Sequence, residues 1–132
     1  MQKQRRKFLG FLAGWIAGAL QGCNFIEEKE LIAGQLANLA FEKYWLREFN
    51  GKRIIIFYNQ GEPYTLSLVC THKKCTVRYR ASEGQFICPC HKGRYDIHGN
   101  VLSGKPPKPL AKYKTIIRPP YVVVLNQIIN EQ

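Results

Sequence analysis

Cys70-Thr71-His72-Lys73-Lys74-Cys75 and Cys88-Pro89-Cys90-His91 are the two stretches on which the reading of this chain turns. Each carries a Cys–His pair: Cys70 and His72 stand two residues apart, Cys88 and His91 three. Each stretch reads as a tight loop offering one sulfur and one nitrogen. Two thiolates and two imidazoles suit either of two centres. A structural zinc ion accepts them in a tetrahedral site. A 2Fe-2S cluster accepts them with both sulfurs on one iron and both nitrogens on the other, which raises its potential above that of an all-cysteine cluster.

Downstream lie Tyr95-Asp96, Gly99, Gly104 and Pro106-Pro107. Together with the two Cys–His stretches, this pattern resembles the Rieske proteins of cytochrome bc-type complexes, and the resemblance runs from about Tyr44 to Leu125. It implies one Rieske 2Fe-2S cluster held by Cys70, His72, Cys88 and His91, and a disulfide between Cys75 and Cys90 that ties the two loops. It implies that Gly104-Lys105-Pro106-Pro107 is the proline loop covering the cluster. Tyr95 is the family's tyrosine that bonds a ligand sulfur. Gly93 stands where high-potential members have a serine that bonds a bridging sulfide, so Gly93 is expected to lower the potential. A zinc-stabilised binding module would leave Cys75, Cys90 and the Gly and Pro pattern unexplained.

The chain outside the loops reads as strands. Tyr44 to Phe49 and Lys52 to Tyr58 flank Asn50-Gly51, a strong hairpin signal because both turn residues tolerate positive φ. Further strands are expected at Tyr64 to Val69, Thr76 to Arg80, Gln85 to Ile87, Val101-Leu102, Tyr113 to Ile117 and Tyr121 to Leu125. The fold class is all-β. With the resemblance it becomes a Rieske-type antiparallel β-sandwich whose cluster-binding subdomain is formed by two loops. Residues 44–132 form that domain, and residues 24–43 read as a tether or a short helix.

Residues 1–23 read as a signal or membrane anchor. Gln4-Arg5-Arg6-Lys7-Phe8-Leu9 resembles a twin-arginine export signal, and Phe8 to Leu20 carries no charge. Such a signal exports folded protein, which suits a chain that acquires its cluster before crossing. The apolar run is shorter than the roughly 20 residues that span a bilayer, though extension to Ile26 nearly reaches that length. Leu20-Gln21-Gly22-Cys23 resembles a lipobox, making Cys23 a candidate for lipidation, and a transmembrane anchor is the alternative. A disulfide persists in oxidising surroundings. The expected location is the periplasmic face of a bacterial cytoplasmic membrane, or the thylakoid lumen side.

After residue 23 about 109 residues remain, enough for one domain. Four of the twenty basic residues precede that point, leaving sixteen against nine acids. Lys73, Lys74, Arg78, Arg80, Lys92, Arg94, Lys105 and Lys108 fall in or beside the cluster loops, a surface that attracts an acidic redox partner or anionic lipid. Nucleic acid is not expected as a partner of an exported protein. The resemblance implies a one-electron carrier that takes electrons and protons from quinol and passes them to a c-type cytochrome or plastocyanin-like acceptor, beside a cytochrome b-type subunit. Lys73-Lys74 replaces the Leu-Gly typical of the apolar docking tip, and Lys92 replaces a small residue. These departures keep a second expectation open: the small subunit of a periplasmic molybdenum oxidoreductase resembling arsenite oxidase, beside a molybdopterin subunit.

Overall fold

The hairpin predicted around Asn50-Gly51 anchors the larger of two antiparallel sheets. A computed structural model describes residues 28–130. The first elements are β1 (Glu30–Gln35), α1 (Leu36–Glu42), β2 (Tyr44–Phe49), β3 (Lys52–Asn59) and β4 (Glu62–Ser67). Next come β5 (Arg78–Arg80), β6 (Gln85–Ile87), β7 (Arg94–Asp96) and β8 (Val101–Ser103). The last are β9 (Lys112–Arg118) and β10 (Tyr121–Ile128). The larger sheet has the order β1-β10-β9-β4-β3-β2, and the smaller β5-β6-β7-β8. Asn50 and Gly51 adopt φ 51° and 69°, as a tight hairpin turn requires.

Strand β3 explains the sandwich. Successive strand side chains point to opposite faces, yet Ile54, Ile55, Ile56 and Phe57 are all buried. Ile54 and Ile56 join a core with Trp45, Phe49, Val122 and Val124, contributed by both halves of the larger sheet. Only Thr65↔Tyr113 and Leu66↔Lys112 pair β4 with β9, so the sheet turns there and its halves face each other across that core. Ile55 and Phe57 join a second core with Leu66, Val77, Phe86 and Tyr95, which seats the smaller sheet. Burying one such aliphatic or aromatic side chain contributes about 1.5–3 kcal/mol. That second core also contains Cys70 and Cys88.

The segment 24–43, expected as a tether or short helix, contains a short helix and also an edge strand of the main sheet. Strand β1 pairs with β10 from Glu30↔Leu125 to Gln35↔Tyr121, with an irregularity between Ile32 and Gly34. Gly34 has φ 148°, and a Cβ there would lie 2.7 Å from the Trp45 ring. Helix α1 buries Leu39 and ends on Lys43 at φ 71°, whose N–H donates to the Leu39 carbonyl. The Asn50 side chain accepts from the Glu28 N–H (2.7 Å) and donates to its carbonyl (3.1 Å), fixing the entry to β1. Strand β7 was not anticipated either: Arg94-Tyr95-Asp96 is three residues long and mostly polar.

Candidate metal centre

The two Cys–His stretches fold into loops with the same backbone wiring. In the first, the Cys70 N–H donates to the Cys75 carbonyl (2.7 Å) and the Lys74 N–H to the Cys70 carbonyl (2.9 Å). In the second, the Cys88 N–H donates to the Gly93 carbonyl (2.8 Å) and the Lys92 N–H to the Cys88 carbonyl (2.9 Å). Four residues after each cysteine the chain turns left-handed: Lys74 and Lys92 both have φ 57°. An L side chain in that region costs about 1–2 kcal/mol that glycine avoids. The departures from the family pattern at Lys74 and Lys92 therefore fall on equivalent, strained positions.

The disulfide joins Cys75 to Cys90, with the sulfurs 2.08 Å apart and the cysteines separated by 15 positions in sequence. It holds the loops so that the His72 and His91 rings meet edge to face, 4.7 Å between centroids. Cys70 and Cys88 are buried free thiols beside them. The Nδ1 atom of His72 is buried without a hydrogen-bond partner, an arrangement that is unfavourable unless something binds there. His91 is exposed. The sulfurs of Cys75, Cys88 and Cys90 also lie within 4.8 Å of one another. Two of those three are consumed in the disulfide, so Cys70, Cys88, His72 and His91 are the donors available, and they fit the mixed ligation of a 2Fe-2S cluster.

Tyr95 organises the first loop from beneath. Its hydroxyl lies 3.3 Å from Cys70 Sγ and 3.3 Å from Thr71 Oγ1, and accepts from the Thr71 N–H at 3.2 Å. Thr71 Oγ1 uses its own proton on the Lys108 carbonyl, at 2.7 Å. The tyrosine proton is thus left for Cys70 Sγ and Thr71 Oγ1. Burial, followed by the bond to Cys70, pushes the Tyr95 pKa up to about 12, so this donor stays protonated at ordinary pH. Burial acts to raise the Cys70 thiol, but hydrogen bonds from Tyr95, the His72 and Lys73 backbone and Cys88 outweigh it and the net shift is downward. His72 is lowered by burial first, then by His91, Lys73 and Lys105. Sequence reasoning missed Thr71, whose bond to Lys108 clips the proline loop to the first cysteine loop.

The structure changes the meaning of Gly93. A Cβ at this position would stand 2.6 Å from Pro106 Cγ and 2.9 Å from its Cδ, and a Cβ on Gly104 would stand 2.7 Å from the Gly93 Cα. The proline loop is packed onto the second cysteine loop through bare backbone. Any side chain at position 93 would require the Pro106 ring to shift, so the bare glycine is a condition of this packing.

Of the basic residues around the loops, Arg80 and Arg94 both bond Glu83, at 3.1 and 3.3 Å. His98 is exposed beside Tyr64. Cys23 and the segment 1–23 lie outside the described residues, among which no helix is long and apolar enough to cross a membrane.

With this geometry in hand, comparison with known proteins agrees. The Rieske [2Fe-2S] domain family matches residues 29–114, beginning one residue before β1. The cytochrome b6-f complex iron-sulfur subunit of Chlorobaculum thiosulfatiphilum is 32% identical over 95 residues, covering 72% of this chain and 52% of that protein. The subunit of the same name from Synechococcus elongatus is 46% identical, covering 86% of this chain and 78% of its own. The chain thus spans about half the length of the Chlorobaculum relative. Among solved structures, the cyanobacterial plasma membrane Rieske protein of Synechocystis PCC 6803 superposes with a TM-score of 0.62 at 25% identity, over 71% of this chain and 97% of that one.

Proposed function

Because the chain belongs to the Rieske [2Fe-2S] domain family, we propose that Cys70 and Cys88 hold one iron of its single 2Fe-2S cluster and His72 and His91 the other. The observation that carries this assignment is the unpartnered, buried His72 Nδ1 beside His91 and two buried free thiols. When bound, the cluster takes up and releases one electron at a time. The chain's own residues do the rest. Tyr95 donates toward Cys70 Sγ, the disulfide fixes the spacing of the loops, and exposed His91 gives the electron a route to the surface. The outer imidazole nitrogens hold protons more tightly when the site carries more negative charge, so proton and electron uptake are coupled.

The donor is quinol and the acceptor a c-type cytochrome or plastocyanin-like protein. Support comes from relatives named as cytochrome b6-f subunits, which also point to partner subunits of the cytochrome b and c types. The protein is held at the outer face of a membrane by residues 1–23, through Cys23 acylation or an uncleaved anchor. Lys73-Lys74 at the tip favours a second reading, the small subunit of a periplasmic molybdenum oxidoreductase.

Solubilised native membranes test both. On the first reading added quinol reduces the protein, which co-purifies with a cytochrome b. Co-purification with a molybdopterin subunit, without reduction by quinol, would replace it with the second.

A further inference from the structure

The three loops around the two imidazoles, residues 70–75, 88–93 and 104–109, contain Lys73, Lys74, Lys92, Lys105 and Lys108 and no acidic residue. All five lysines are exposed. The ion pairs among the described residues are Arg80–Glu83, Arg94–Glu83 and Arg118–Glu30, none of which involves a collar lysine. Between residues 68 and 110 the acids are Glu83 and Asp96. Glu83 is held by its two arginines, and the Asp96 carboxylate by the His98 and Asn100 N–H groups and the Asn100 side chain. Nothing within this part of the chain neutralises the collar.

Two of the five lysines are kept against the preference of the backbone. Lys74 and Lys92 occupy matched left-handed positions at φ 57°, where glycine is free of strain. Residues held in such conformations cluster where function requires them. Each adds a long, exposed cation to one of the two loops that carry the histidine pair.

We propose that this collar is a docking surface for electron exchange, and that the partner it selects is a redox protein bearing an acidic patch around its own electron port. The proposal rests on the reading of the chain as a Rieske electron carrier. Charge complementarity of this kind acts mainly on encounter and orientation. A protein partner is favoured over anionic lipid because the collar lies on the same loops as exposed His91: a lipid surface seated on it would cover the electron's exit, whereas an acidic redox protein would bring its acceptor there.

The test uses full-length, reduced holoprotein in detergent, mixed by stopped flow with two c-type cytochromes, one acidic and one basic. Oxidation by the acidic cytochrome should be about tenfold or more faster at low salt and slow as ionic strength rises, while the basic one shows the opposite trend. In K74G/K92G that preference should shrink several-fold and the salt slope flatten. The thermal midpoint should meanwhile rise, and the rate with an uncharged small oxidant should show no comparable loss. Equal rates for the two cytochromes, or an unchanged salt slope in K74G/K92G with its cluster spectrum intact, would overturn the proposal. So would sedimentation with phosphatidylglycerol but not phosphatidylcholine vesicles that the double variant abolishes, if no cytochrome preference accompanies it. Wild-type protein without a Rieske spectrum would overturn the carrier reading and this proposal with it.

Discussion

Replacing Tyr95 by phenylalanine removes one oxygen from a fully buried ring and leaves its packing in place. That oxygen stands 3.3 Å from Cys70 Sγ and accepts from the Thr71 N–H at 3.2 Å. A hydrogen bond to a charged acceptor contributes about 1.5–3 kcal/mol, and sharing the proton with Thr71 Oγ1 places this one toward the lower end. Only the difference between oxidation states moves the potential, roughly 1 kcal/mol of that total. For a one-electron couple this is about 40 mV. The reduced site is the more negative and gains more from the donor, so Tyr95→Phe lowers the midpoint by tens of millivolts. It also leaves the Thr71 N–H without this acceptor, at a cost of about 1–3 kcal/mol in stability. Redox titration followed by visible circular dichroism reads the first effect, and urea unfolding the second. A variant with an intact cluster spectrum and an unchanged or raised midpoint would refute the reasoning.

Gly93→Ser forces the Pro106 ring aside, as overpacking does, for about 1–3 kcal/mol; calorimetry should show a lower melting temperature, and a variant as stable as wild type would contradict the contact. Replacing Cys75 and Cys90 together by serine removes the clamp on the two loops and costs about 2–5 kcal/mol, with faster cluster loss under mild heating; equal cluster lifetimes would show that the disulfide is dispensable. Burial, then Tyr79 and Asp96, pushes the Tyr64 pKa up to about 12, as burial does for Tyr95. Both folded values lie above the ordinary value of 10.0, so the stability they contribute is complete below pH 10 and disappears as pH rises toward 12. Unfolding midpoints measured across that window should fall, and fall less steeply in Tyr64→Phe; identical slopes would remove Tyr64 from the explanation.

The parts of the fold legible in the sequence are those with local signatures. Asn50-Gly51 announces a hairpin because few other pairs adopt two consecutive positive φ values, and the strands on either side were found with their boundaries nearly intact. Strand β1 was not legible. Its inward residues Leu31 and Ala33 offer a weak period, and its place is set by pairing with β10 some 90 residues away, a contact no local pattern encodes. Strand β7 hid for a related reason: three residues held by neighbours on both sides need little propensity of their own.

At the metal centre the reactive groups were readable, because cysteine and histidine at short fixed spacings have few other uses. Their surroundings were less so. That Gly93 is pressed against Pro106 depends on two loops meeting in space. The equivalence of Lys74 and Lys92 was readable in principle, since they stand four residues after Cys70 and Cys88, but only the backbone angles show what that offset means.

The measurement closest to the central claim is pulsed electron-nuclear spectroscopy of the reduced protein labelled with nitrogen-15 histidine, alongside iron, sulfide and zinc analysis. The account predicts equal iron and acid-labile sulfide, no stoichiometric zinc, and two directly bound histidine nitrogens, with the signal lost when His72 or His91 is replaced by alanine. Stoichiometric zinc without labile sulfide, or a cluster whose spectrum carries no histidine nitrogen coupling, would contradict it.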